Sequence, residues 1–227
     1  MIGKKKKITK KVIQEDKLVT SFFKTQGFFK DNQQNLLIGL GVIAAVILAV
    51  FWYNSKVDDD NLQATTQLAA VIPFYDSGQY QKAIDGEPGT NIVGLASIVD
   101  NFGSTEQGEV AKMYLANSYY SLGNYQKAKE YYSDYSGKSD LFKASSIAGK
   151  AACDEMLGNY SEAAEEYKKA SSIVKVETQA ASYLLNAGKN YLKSNSEDKA
   201  KEAFELIKDE YKNTNAAREL DRFTYKF

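Results

Sequence analysis

The apolar positions change their period twice along the chain. Near the start, Leu18 and Phe22, then Val19 and Phe23, pair at the i, i+4 interval, with Phe28 and Phe29 following. This is the spacing of a helix with one apolar side. From Leu36 to Tyr53, LLIGLGVIAAVILAVFWY, eighteen residues carry no charge. At about 1.5 Å per residue such a helix covers roughly 27 Å, close to the ~30 Å hydrocarbon core of a bilayer. Beyond Tyr53 a helical period of mixed apolar and polar positions returns and continues to the end.

Within that last part, Asn61 to Asp76 places Leu62, Leu68, Ala69 and Ile72 at helical intervals, with Pro73 marking a kink or a last turn. Asp85-Gly86-Glu87-Pro88-Gly89 is a run of breakers. Asn91 to Phe102 predicts a further helix with Ile92, Leu95, Ile98 and Val99 inward, and then a repeating unit begins.

Its clearest copy is Leu115 to Tyr132, LANSYYSLGNYQKAKEYY: a helix, a Gly-Asn-Tyr turn and a second helix. Ala116 and Ala128 stand twelve residues apart, Tyr119 and Tyr132 flank them, and Gly123 sits where the first helix should end. Ala151 and Ala163 repeat the interval around Gly158, with Tyr167 beyond. Gly188 and Ala200 repeat it again, with Tyr191, Phe204 and Asn195 in place of the turn glycine. From turn to second alanine the step is five each time: Gly123 to Ala128, Gly158 to Ala163, Asn195 to Ala200, and in a degenerate earlier copy Gly78 to Ala83. Two antiparallel helices approach closely only where side chains are small, and aromatic knobs then fill the flanking grooves.

These residues resemble the tetratricopeptide repeat, a helix-turn-helix unit of about 34 residues. Lys112 stands where that family often has Trp, Asp154 where it has Tyr, and Asp140 rather than Pro closes the first copy. One hairpin cannot bury its apolar side, so several must stack. The expected fold is therefore all-α: a single N-terminal transmembrane helix, then a tetratricopeptide-like solenoid of helical hairpins with a C-terminal capping helix. The boundaries follow the pattern: a basic leader over 1–35, the span over 36–55, a degenerate first repeat and connecting helix over 56–108, three repeats over 109–213, and a cap over 214–227. In the cap, Leu220, Phe223 and Phe227 share a helical side.

Composition alone, 44% hydrophobic and 26% charged with no net charge, would suit an ordinary soluble domain. The distribution changes that picture. Residues 1–35 carry nine lysines against Glu15, Asp16 and Asp31, whereas the chain after Tyr53 has an excess of acids, beginning at Asp58-Asp59-Asp60. By the positive-inside rule the N-terminus is cytoplasmic and the repeats lie on the other side of the membrane. Trp52 and Tyr53 form an interfacial aromatic pair, and Lys56 snorkels to the headgroups. The long leader and bulky residues after the apolar run argue against a cleaved signal peptide. The lysine run needs no nucleic-acid partner, because the adjacent span explains it. The 15–30 segment reads as an amphipathic helix that rests either on lipid or on a cytoplasmic protein, and its pattern does not separate the two.

Chemistry is limited by what is missing. The chain has no histidine, which removes Ser-His-Asp and Cys-His catalysis and ordinary zinc sites. It has no glycine-rich phosphate cradle. No catalytic, cofactor or metal residue is expected, and Asp58 to Asp60 read as a hydrated acidic juncture. Cys153 is the sole cysteine and reads as a small core residue, while Glu162, Glu165 and Glu166 read as a solvated helix face. Sixteen tyrosines suit a surface that grips polypeptide, since tyrosine combines area with a polar tip. Tyr114, Asn117 and Tyr120 are the candidate partner-binding groove.

The layout of lysine-rich leader, single span and outward repeats, with Ile98 to Tyr132 as its most recognisable stretch, resembles the bacterial ancillary Sec translocon subunits of the YfgM type. That resemblance implies a non-catalytic, membrane-anchored subunit beside the SecYEG translocon. It would act with a periplasmic prolyl isomerase-like chaperone on newly translocated client polypeptides. A scaffold for another envelope complex, in outer-membrane biogenesis or cell division, is the first alternative, and an enzyme of unknown type the second.

Overall fold

The computed structural model describes the backbone of residues 10–220 and the side chains of residues 19–220. All regular elements among them are helices: α1 Lys10–Asp31, α2 Gln33–Asp76, α3 Tyr80–Asp85, α4 Leu95–Phe102, α5 Glu106–Ser121, α6 Tyr125–Ser133, α7 Asp140–Met156, α8 Tyr160–Ile173, α9 Glu177–Lys193, α10 Glu197–Glu210 and α11 Asn215–Glu219. The chain divides into two compact units, Met1–Lys56 and Val57–Phe227.

The first unit holds α1 and the apolar part of α2. Between them only Asn32 falls outside both helices, and its side-chain amide donates to the Phe28 carbonyl at 3.0 Å. The apolar eighteen-residue window of α2 has a mean hydropathy of 2.6 and none of it is buried by protein. A run this long and this apolar, with no protein cover, is a candidate membrane span.

The second unit begins inside α2. Its residues Ala64, Leu68 and Val71 are buried, and Pro73 lies in the last turn, where its missing N–H removes one helical bond close to the helix end and its own carbonyl is capped by the Ser77 N–H and hydroxyl. The buried stripe differs from the sequence expectation, since Leu62 and Ala69 are exposed. This part of α2 meets protein on one narrow side only, and Ala64 serves as the close-approach residue. The short α3 buries Ala83 and stops at Asp85, where Gly86 takes a φ of 83°. The next helix starts at Leu95, four residues later than Asn91. Gly86 and Val93 pair as an isolated β-bridge, and Gly94 lies so close to α3 that a Cβ there would be 2.1 Å from the Ile84 carbonyl oxygen. Extended backbone through 91–94 is what lets the chain pass this point.

From α5 onward each helix packs on the next, α5 through α10 in order, and α11 lies against α9. The three hairpins α5–α6, α7–α8 and α9–α10 share one turn chemistry with the α2–α3 junction. Gly78, Gly123, Gly158 and Asn195 all have positive φ, from 57° to 84°. At each, two backbone N–H groups fold back onto the preceding helix: Gly123 to Tyr120 and Asn124 to Tyr119, Gly158 to Glu155 and Asn159 to Asp154, Asn195 to Leu192 and Ser196 to Tyr191. This double bond satisfies orphan carbonyls at a left-handed helix end. Asparagine tolerates that conformation better than other side-chain-bearing residues, which is why it replaces glycine in the third hairpin.

Packing follows the small-on-large arrangement. Ala116, Ala128, Ala151, Ala163 and Ala200 are fully buried, and Tyr132, Tyr167, Tyr191 and Phe204 are buried among them. Phe204 rests on Gly188 so closely that a Cβ there would be 2.2 Å from its Cε1. Tyr132 does the same across the hairpin boundary, onto Gly149 of α7. Tyr119 is half-buried and stacks on Tyr131 with the rings 3° from parallel. At the C-terminal end Ala216 and Leu220 are buried against the last hairpin. Phe223 and Phe227 lie outside the described residues.

Candidate interaction surface

The first helix of the first hairpin, α5, carries all three residues marked as a partner-binding groove, Tyr114, Asn117 and Tyr120. All three marked residues are half-buried and engaged within the chain. The Tyr114 ring meets Tyr75 of α2 edge-on with centroids 4.9 Å apart, and Tyr75 in turn meets Tyr80. The Asn117 side-chain oxygen accepts a hydrogen bond from the Tyr132 hydroxyl. Tyr120 lies edge-on to Tyr125 of the next helix at 5.3 Å. They form a half-covered aromatic band along α5.

Two charged residues stand where the repeat pattern has aromatic knobs, and sequence reasoning left both without a role. Lys112 is 7% exposed. Its ammonium donates to Glu109 at 2.9 Å, lies 2.9 Å from an Asp134 carboxylate oxygen and also donates to the Asp134 carbonyl. Glu109 accepts further from the backbone N–H and hydroxyl of Ser136. Burial works against the Lys112 charge, but hydrogen bonds to Glu109 and Asp134 outweigh it and hold its pKa above the usual lysine value. The cluster ties α5 to the loop that follows α6.

The second is Asp154 on α7, fully buried, its Oδ1 accepting from Lys129 of α6 at 2.6 Å and from Asn159 at 2.9 Å. Its Oδ2 has no partner in the structure. Between α6, α7 and α8 this pair borders a cavity of about 410 Å³, with Lys150, Ser161 and Glu162 on its walls. A lone acid in the sequence gives no sign of its base when the two are 25 residues apart, so this pair was not legible.

Further ion pairs link one hairpin to the next. Glu165 meets Lys199 at 2.7 Å and Lys168 meets Glu202 at 3.4 Å, each pair 34 residues apart. Glu155 meets Lys193 at 2.6 Å while its other oxygen accepts from Asn190. The acidic face of α8 is therefore paired as well as solvated. The Lys199 hydrogen bond lowers the Glu165 pKa. A larger cavity of about 600 Å³ lies where the N-terminal ends of α5 and α7 meet α2, lined by Asn61, Glu106, Glu109, Tyr135 and Phe142.

Cys153 is fully buried beside Tyr132, and burial, reinforced by the Asp154 carboxylate, pushes its thiol up to about 12. It is an inert core thiol, since the thiolate is the nucleophile. No group of three or more Cys, Asp or Glu side chains able to hold a metal ion occurs among the described residues. Trp52, Tyr53 and Lys56, the residues assigned to a membrane interface, are all exposed in the first unit.

Residues 110–137 and 182–214 match the tetratricopeptide repeat family model. The first match covers the greater part of α5 and all of α6, and the second covers most of α9 and all of α10. The hairpin α7–α8 lies between them and is built on the same turn and the same alanine step. Comparison with curated proteins and with solved structures found no match. Tetratricopeptide repeats mediate protein–protein interaction and are typically non-catalytic scaffolds, so the chain is read as an interaction scaffold.

Proposed function

We propose that this chain is a membrane-anchored scaffold whose repeats hold polypeptide partners, with no catalytic activity of its own. The observation that carries the reading is the joining, in one chain, of an uncovered apolar helix to a stack of three tetratricopeptide-like hairpins. An apolar helix of that length seeks lipid, and a stack of hairpins presents side chains from several helices at once, which suits an extended peptide.

The charge asymmetry supports a single-pass inner-membrane topology with the repeats in the periplasm. The resemblance to YfgM-type subunits supports a place beside SecYEG, where the repeats would recruit a prolyl isomerase-like chaperone or assist emerging clients. Protease added to intact spheroplasts tests the topology: digestion of the repeats is expected, and their protection would reverse the orientation. Purification in gentle detergent, with mass-spectrometric identification of companions, tests the partner. Co-purifying SecY supports the translocon reading, and its absence beside an intact outer-membrane or division complex favours the other scaffold. A photo-crosslinker at Tyr120 that captures no polypeptide, with one at a buried site as control, removes the α5 band from the binding surface.

A further inference from the structure

The segment before the apolar run has not been given an occupant. In α1, Val19, Phe22, Phe23, Phe28 and Phe29 are each more than half exposed. Among the described residues the rings pair with their sequence neighbours, Phe22 with Phe23 at 5.8 Å and Phe28 with Phe29 at 6.2 Å. Five large apolar side chains among the described side chains of α1, none of them in a core cluster, form a surface that water does not favour.

Register sorts these residues. At about 100° per residue, Phe29, Phe22, Val19 and Phe23 fall within an arc of about 120°. Lys24 falls on the opposite side, next to Phe28, which lies off the main arc, while Gln26 and, at the helix end, Lys30 share the arc. The arc is too broad for the narrow seam of a coiled coil and suits a soft medium that takes rings at several angles.

Two further observations choose the medium. Residues 1–35 carry nine lysines against three acids, a balance that an anionic surface attracts. Phe29 also stands only seven residues before Leu36, about 10 Å of helical rise. If α2 crosses a bilayer from Leu36, α1 starts within the headgroup layer, with Lys30, Asp31 and Asn32 at the junction. At that junction the helical backbone bonds continue, Asn32 N–H to the Phe28 carbonyl and Leu36 N–H to the Asn32 carbonyl, but the Asn32 side-chain amide competes for the same Phe28 carbonyl at 3.0 Å, which makes this the point at which α1 can bend away from α2.

We infer that α1 is a membrane-surface helix that lies on an anionic lipid leaflet, its Phe22–Phe29 face among the acyl chains and its lysines on the headgroups. It gives the chain a second membrane contact besides α2. The inference rests on α2 being a span, and the test separates the two.

The full chain, with its single tryptophan removed as Trp52→Phe, is reconstituted into vesicles of phosphatidylcholine with or without about 30% phosphatidylglycerol. Single tryptophans are placed by Phe22→Trp, Phe29→Trp, Thr20→Trp outside the apolar arc, and Leu48→Trp within α2. Lipids brominated near the headgroup or near the chain end serve as quenchers. Expected are blue-shifted emission at positions 22 and 29 and headgroup-lipid quenching at least about twofold stronger than at position 20, falling by about half without phosphatidylglycerol. Water-like, unquenched emission at 22 and 29 overturns the inference, and so does blue-shifted emission without quenching, which means that protein or a second copy covers the face. Quenching that ignores phosphatidylglycerol overturns the anionic-surface part. Position 48 unquenched by chain-end bromines identifies failure of the span itself, and the inference falls with it.

Discussion

Replacing Gly188 by alanine sets two effects of opposite sign against each other. Gly188 is interior to α9, where alanine is favoured over glycine by about 0.8–1.0 kcal/mol in an unconstrained helix. The added Cβ, however, would stand 2.2 Å from Phe204 Cε1 and 2.7 Å from Cδ1 and Cζ, whereas ordinary contact begins near 3.5 Å. More than an ångström of movement is needed. Phe204 is 2% exposed and packed with Ala200, Ile207 and Tyr191, so its ring cannot swing away as a surface side chain would. Overpacking of this kind costs about 1–3 kcal/mol. Subtracting the helix gain leaves a net destabilisation of up to about 2 kcal/mol, or up to roughly 8 °C in Tm for a domain of this size. Thermal circular dichroism of the full chain in detergent measures it. Hydrogen exchange in α9 and α10 shows whether the loss is local, as expected where a repeat touches only its neighbours. Adding Phe204→Leu should recover part of the loss in a double-mutant cycle. A Gly188→Ala chain more stable than the parent, or a cycle with no coupling, refutes the packing argument.

Three further outcomes follow from the same structure. Lys112→Ala leaves Glu109 buried with only Ser136 to bond it and should cost about 2–4 kcal/mol. The double change Glu109→Gln, Lys112→Met should cost far less, and chemical denaturation of the two reads the contrast. Folded-state protons are held by Cys153, by Tyr132, Tyr167 and Tyr191, all raised chiefly by burial, and by Lys112, raised by its acidic partners. Each raised pKa contributes stability that is complete below its ordinary value and is lost as pH rises towards the folded value. Tm should therefore fall progressively above about pH 9, where the thiol begins to lose its proton in the unfolded chain, and a flat profile from pH 8 to 11 contradicts the burial argument. Asn195→Gly relieves a left-handed residue that is exposed and should stabilise by up to about 1 kcal/mol, seen as a small rise in Tm.

Much of the fold was legible because turn glycines and buried alanines leave a fixed step in the sequence. The step of five from Gly123, Gly158 and Asn195 to the next alanine reports a helix end and a close approach together. The apolar run of α2 was equally plain. Asp154 and Lys112 were visible only as missing knobs. Lys129 lies on another helix and Asp134 just past the end of α6, and ionic partners carry no spacing rule across a turn; only Glu109, three residues before Lys112 on α5, stood at a helical spacing that could have marked the pair. Gly149 was unreadable for a similar reason, since only the stacking of two hairpins brings it under Tyr132. The start of α4 was misplaced because a periodic apolar run continues into Ile92 and Val93, and the approach of α3 that forces those residues to extend is a tertiary fact. Of the groove residues, the sequence indicated aromatic character but not that Tyr75 would lie against Tyr114.

A seam lined only by methyl groups is smooth, and two hairpins meeting over alanines would hold each other almost equally well after sliding by a turn. The charged pairs remove that freedom. A one-turn slip of about 5.4 Å would pull Lys129 out of reach of Asp154 and Lys199 out of reach of Glu165, stranding a fully buried carboxylate in the first case. Together with Tyr132 seated over Gly149, these contacts act as detents on the joint, so the stack has one setting rather than several.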